Sequence, residues 1–159
     1  MSWLKHSLIE DWKYDFAEWY VIFEHGDMPW KLAKLLKPGI RHVWAVRWDG
    51  FNWISFNPRL GGTDIEVLPF GPQHKIQNVV KDTECSVIIH VNIRRDNTRI
   101  RNPWPTLCTC VEQTKALLGI GGLRTWHIYT GYQLYKHLIK EHHGTTQIST
   151  TATTSQNSS

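Results

Sequence analysis

The sequence predicts an α+β fold: an antiparallel sheet of about four to five strands, packed on a cysteine-bearing helix and flanking helices. Three observations lead there. Residues 41–58, RHVWAVRWDGFNWISFNP, place two alternating runs of β-branched and aromatic residues around Asp49-Gly50, a hairpin-turn signal. Residues 84–93, ECSVIIHVNI, alternate in the same way. Thr109-Cys110-Val111-Glu112 and Thr130-Gly131-Tyr132-Gln133 each set a Thr three positions before an acid or amide, the capping-box pattern that opens a helix.

The elements follow in chain order. Ser7-Leu8-Ile9-Glu10 is a further capping box, and the spacing of Trp12, Phe16, Trp19, Tyr20 and Phe23 predicts a helix over 8–24 that ends near Gly26. Pro29 suits the first turn of a short helix over 29–36, which makes residues 1–39 a helical N-terminal region. Lys37-Pro38-Gly39 ends it. A two-residue turn at Asp49-Gly50 would set Trp48 opposite Phe51, Val46 opposite Trp53, Trp44 opposite Ser55 and His42 opposite Asn57, all on one face. Residues 63–70, TDIEVLPF, read as a third strand, with Ile65, Val67 and Pro69 on one side. A loop over 71–82 carries a short helical or strand piece at 76–80. In 84–93, Cys85, Val87, Ile89 and Val91 point one way, and Ser86, Ile88, His90 and Asn92 the other. Residues 94–105 are a polar connection. The cysteine helix then starts with Thr109 as its cap and Cys110 as its first residue, and stops at Gly119. Residues 124–129 read as a short strand. A helix over 131–142 follows, with Tyr132, Tyr135, Leu138 and Ile139 as its apolar stripe.

At 159 residues, 41% apolar and 20% charged, the chain suits one globular domain over 1–143. Residues 144–159, GTTQISTTATTSQNSS, are nearly charge-free and Thr/Ser-rich, and are expected to be a disordered tail. No apolar run is long enough for a membrane span. MSWLKHSLIEDWK lacks the apolar region of a signal peptide, so a cytoplasmic location is expected. The net charge of +4 is compatible with acidic partners but names none. Arg94, Arg95, Arg99 and Arg101 read first as a solvated loop, so nucleic acid is not a favoured partner. The three cysteines make an odd count, which speaks against a disulfide framework. A lone Cys-x-Cys is a poor zinc signature, so neither a metal nor another cofactor is expected.

The candidate chemistry lies in His42, Asn57 and Cys110. A helix N-terminus favours a thiolate at Cys110. His42 would serve as its base, and Asn57 would hold one imidazole nitrogen so that the other faces sulfur. Cys108, one residue before the cap, is the alternative nucleophile. Trp44, Trp53 and Ser55, on the His42 face, and Trp104 are expected to wall the cleft. Each residue taken alone has a plainer reading: a small apolar thiol, a satisfied histidine, an Asn that opens a turn before Pro58. His90 and His127 have no polar residue placed opposite them by a turn, and rank below His42.

The order His, Asn, Cys, in the motifs HVWAVRWDGFNWISFNP and TCVEQTKALLGI, resembles the circularly permuted papain-like thiol hydrolases of NlpC/P60 type. The same motifs resemble small phage and prophage proteins. The resemblance covers roughly residues 40–140. It implies a permuted papain-like fold and a Cys–His–Asn triad in an amidase or endopeptidase acting on peptide or acyl substrates, cell-wall peptides included. It also implies phage or virion proteins as partners and virion association as an alternative location. One departure stands out: papain-like enzymes carry a Gln six residues before the Cys for the oxyanion hole, and this chain has Trp104 there. A catalytically inactive virion or host-interaction module is therefore the alternative function.

Overall fold

The computed structural model describes residues 16–26, 36–59, 62–80, 85–94, 109–121, 124–142 and 146–147. Its centre is a strand. Phe16–Glu24, FAEWYVIFE, is β1, and it lies between His42–Trp48 (β2) and Cys85–Arg94 (β5). Trp53–Arg59 (β3) and Gly62–Leu68 (β4) extend the sheet beyond β2. Thr146–Gln147 (β6) adds two residues beside Ile88 and Ile89 of β5. The order is β4-β3-β2-β1-β5-β6, and each of the five pairings is antiparallel. The helices are Ile76–Val79 (α1), Cys110–Leu117 (α2) and Gly131–His142 (α3).

The predicted helix over 8–24 is overturned where it can be followed. Aromatic spacing in this segment satisfies both a helical and a strand period, but Val21 and Ile22 lie off the helical stripe. In the strand, Ala17, Trp19, Val21 and Phe23 face one way and Tyr20 and Ile22 the other, and both faces are covered. A strand buried on both sides loses the polar alternation that would have marked it. The expected helical N-terminal region is thus a strand over its described second half, and residues 8–15 and 29–35 lie outside the described chain. Gly26, near which the helix was to end, instead follows β1 with φ of +60°.

Two clusters sandwich the sheet. Val21 and Phe23 of β1, Val43 and Ala45 of β2 and Ile89 and Val91 of β5 pack under α2 and α3 with Val111, Leu118, Leu134 and Leu138. On the opposite face Ile22, Trp44, Val46, Trp53 and Ile88 pack against Ile76, Val79 and Val80. Burying a large aliphatic side chain contributes about 1.5–3 kcal/mol, so the sheet draws stability from both faces. The alternation expected in β5 holds: Val87, Ile89 and Val91 meet the first cluster and Ile88 the second.

The hairpin register differs from expectation by two residues. Trp48 pairs with Trp53, Arg47 with Ile54, Val46 with Ser55 and Ala45 with Phe56. Four residues, Asp49 to Asn52, make the turn. The Asp49 carboxylate accepts from the N–H groups of Asn52 (2.7 Å) and Phe51 (2.8 Å), and the Asp49 N–H donates to the Asn52 carbonyl at 3.1 Å. Those backbone donors, Asn52 first, hold the Asp49 carboxyl below its usual range. Side-chain closure of a wider turn wins over the tight turn, and Phe51 is left 83% exposed instead of facing Trp48.

Three smaller expectations also change. Ile65 and Val67 share a face of β4 as expected, but that edge strand leaves them exposed, and the strand stops at Leu68 before Pro69. Residues 124–127 form a turn and no strand. In α3 Tyr132, Tyr135 and Leu138 pack on the core as expected, joined by the buried Leu134, while Ile139 lies at the surface. Of the expected tail, Thr146 and Gln147 pair with β5 and 148–159 lie outside the described residues. No described helix is long and apolar enough to cross a membrane.

Candidate active site

The thiol is placed by a helix start. Thr109 caps α2 and its Oγ1 accepts from the Glu112 N–H at 3.2 Å, so Cys110 is the first helical residue, as its sequence pattern predicts. At the other end Gly119 takes φ of +69°. Its N–H donates to the Ala116 carbonyl (3.3 Å) and the Ile120 N–H to the Lys115 carbonyl (2.8 Å), a Schellman stop. Val111, Thr114 and Leu118 are buried against the sheet. Thr63 of β4 donates to the Gln113 carboxamide oxygen, which ties α2 to the sheet edge. On the far flank Lys115 Nζ donates to Glu112 Oε1 (2.8 Å) and to the Ile128 carbonyl (3.2 Å), all buried.

The imidazole is placed by a strand start. His42 opens β2 and pairs with Glu24 of β1. The Arg41 N–H donates to the Glu24 carbonyl at 2.9 Å, and the chain just after β1 lies so close that a Cβ on Gly26 would stand 2.7 Å from His42 Cβ. The glycine therefore serves a close approach as well as its positive φ.

His42 Nε2 lies 2.8 Å from Asn57 Oδ1. A carboxamide oxygen only accepts, so Nε2 carries the hydrogen and Nδ1 is the nitrogen left for sulfur. This contact survives the altered register. A slip of two residues preserves side-chain parity, so His42 and Asn57 stay on one face and meet diagonally instead of directly.

Cys110 and His42 are hydrogen-bonded through their side chains. Burial, the largest single influence on the thiol, pushes its pKa up. The bonds from His42 and from the Val43 and Val111 N–H groups, with the imidazolium charge, outweigh it and bring Cys110 below the ordinary thiol range. For His42, burial is again the largest influence and lowers the pKa. The bonds to Cys110 and Asn57, then the charges of Cys110 and Glu24, more than offset it and raise His42 above its usual value. Opposite shifts in one contacting pair favour a thiolate beside an imidazolium.

No protein-family model, curated protein or solved structure matches this chain. The geometry carries the reading of the site.

His42, Asn57 and Cys110 are brought together; the other candidates are not. Cys108 and Trp104 lie outside the described residues. Trp44, Trp53 and Ser55, expected as cleft walls, are buried at 6%, 6% and 5% exposure; the two tryptophans belong to the core under α1 and lack the exposure of a wall. The bulky side chains on the His42 face are needed to bury the sheet. Of the two lower-ranked histidines, His90 stacks on Tyr20 with centroids 4.9 Å apart, and His127 is exposed beyond the C-terminal end of α2. Of the arginine cluster, Arg94 ends β5 and the others lie outside the described residues. Sequence reasoning missed Glu24, Gly26 and the Val43 N–H. Glu24 accepts from Trp44 Nε1 at 3.1 Å and so is held on the His42 side of the sheet. No local signal marks Glu24, because only the β1–β2 pairing brings it to His42. Among the described residues no three His, Cys, Asp or Glu side chains form a metal-ligand cluster.

Proposed function

We propose that this protein is a cysteine hydrolase, an amidase or endopeptidase of papain-like type in permuted chain order. The observation that supports this most is a single imidazole bridging a helix-N-terminal thiol and a carboxamide oxygen. In the reaction the Cys110 thiolate attacks a substrate carbonyl carbon. The carbonyl π pair moves to oxygen, near the N–H groups at the positive end of α2. The tetrahedral species collapses, and His42 Nδ1–H gives its proton to the leaving amine. Neutral His42 then takes a proton from water, whose oxygen attacks the thioester and releases the acid and the thiol. Asn57 keeps Nε2 engaged throughout, so that Nδ1 faces sulfur. Cell-wall peptides are the substrate class that the resemblance to NlpC/P60-type enzymes suggests.

A second reading has its own observation. Trp104 replaces the oxyanion-hole Gln of papain-like enzymes, which suits a virion or host-interaction module that keeps the fold without turnover. Two measurements separate the readings. Iodoacetamide should alkylate Cys110 at about pH 6, well below an ordinary thiol pKa of about 8.5, and the labelled site should vanish in Cys110→Ala. Peptidoglycan fragments should then be cleaved by the wild type, abolished in Cys110→Ala and slowed by about 10²–10⁴-fold in His42→Ala, with a smaller loss in Asn57→Ala. Low-pH alkylation without cleavage would favour the inactive module. Alkylation that rises only near the ordinary thiol pKa would remove both the activated thiol and the hydrolase.

A further inference from the structure

A second concavity opens beyond the far end of α2, about 12 Å from Cys110 along the helix at 1.5 Å per residue. Its volume is about 820 Å³, within the usual range of small-ligand sites. One wall is α3, where Gln133, Lys136, His137 and Lys140 recur at three- and four-residue spacing and so form one stripe. The second wall is the turn that carries Arg124 and His127, and the lining includes Ile93 of β5 and Leu118, the residue that ends α2. Arg124, Lys136 and Lys140 are its basic side chains, and among the described residues Glu141 is the one carboxylate on the lining.

A basic helix stripe is most often a solvated face. Here the stripe, although its cations are exposed, lines the same concavity as Arg124 and His127 of the neighbouring turn. Among the described residues none of these cations forms an ion pair; Lys136 lies 5.3 Å from the Tyr132 ring, on the same helix. Like charges held around one concavity repel each other, and an anion between them relieves that repulsion. Arginine adds a planar fork suited to phosphate oxygens.

We propose that this cleft binds a small polyphosphate anion, of the size of inorganic tripolyphosphate or a nucleoside triphosphate. None of its lining residues belongs to the thiol site.

The test is calorimetric titration of the full chain with tripolyphosphate and, separately, with ATP. Saturable binding that weakens with salt, and falls by about tenfold or more in Arg124→Gln/Lys140→Gln, supports the proposal. Binding of tripolyphosphate identifies the phosphate chain itself as the ligand. Binding of ATP alone shows that the nucleoside is also read. The charge-conserving Arg124→Lys/Lys140→Arg double variant should keep most of the affinity, which separates a lost charge from a lost fold. Absence of binding at millimolar probe, or affinity unchanged in Arg124→Gln/Lys140→Gln, would overturn the proposal. So would binding of a single-stranded oligonucleotide alone, which would make the cleft part of a nucleic-acid surface.

Discussion

His42 is the residue through which the site can be interrogated most directly. Its imidazole is buried enough that desolvation alone would keep it neutral, yet its pKa is raised, because Cys110, Asn57 and Glu24 favour the charged ring. Removing the thiol removes both the hydrogen bond and the charge that Cys110 supplies. In Cys110→Ala the His42 titration, followed by NMR of the imidazole, should move down in pH. An unchanged titration would show that thiol and ring do not interact. The stability sign follows from the direction of the shift. A histidine raised in the folded state contributes stability that is fully present below its unfolded pKa, about 6.5, and lost as pH rises through the folded value. The lowered thiol contributes above its unfolded pKa, about 8.5, and that contribution is lost as pH falls through its folded value. Cys110→Ala should weaken both pH dependences in chemical denaturation. The pairing of His42 with Asn57 was legible in the sequence because strand parity tolerates an error of two residues. The part played by Glu24 was not, since it depends on a pairing between β1 and β2 that no local pattern reports.

Helices α2 and α3 were legible in the sequence, because their capping signals are local. Thr109 caps α2 as its capping pattern requires. Thr130 and Gln133 close a reciprocal box at α3: Gln133 Oε1 accepts from the Thr130 N–H at 3.0 Å, and the Gln133 N–H donates to Thr130 Oγ1 at 3.2 Å. What the capping pattern did not convey is that Glu112 also faces a buried lysine. The Lys115–Glu112 pair, with side chains 4% and 9% exposed, couples α2 to the 124–128 turn through the Ile128 carbonyl. Lys115→Met takes away the ammonium that this carboxylate faces and should destabilise the fold by about 3–5 kcal/mol. Adding Glu112→Leu should recover most of the loss. Urea unfolding of the single and double variants checks this; a double variant no more stable than the single would mean that the pair is not the cause.

At the scale of the whole molecule, the misread segment is the one on which the sheet depends. β1 pairs with β2 on one side and β5 on the other, and its two faces enter two different cores. Ile22→Ala and Phe23→Ala should therefore both be costly, by about 2–5 and 3–5 kcal/mol respectively. Phe51→Ala, at the exposed hairpin tip, should stay within about 0.5 kcal/mol. Ile22 decides the matter, since it lies off the helical stripe: a negligible loss in thermal denaturation would contradict the strand. The chain order has a consequence for biogenesis. The imidazole and its carboxamide belong to one hairpin and can meet as soon as β2 and β3 are made, whereas the thiol is synthesised only after β4 and β5. Until α2 docks, Cys110 lacks the imidazole and the Val43 N–H that lower its pKa. A nascent or misassembled chain should therefore carry an ordinary, slow thiol, and rapid alkylation should mark only molecules in which α2 has found the sheet.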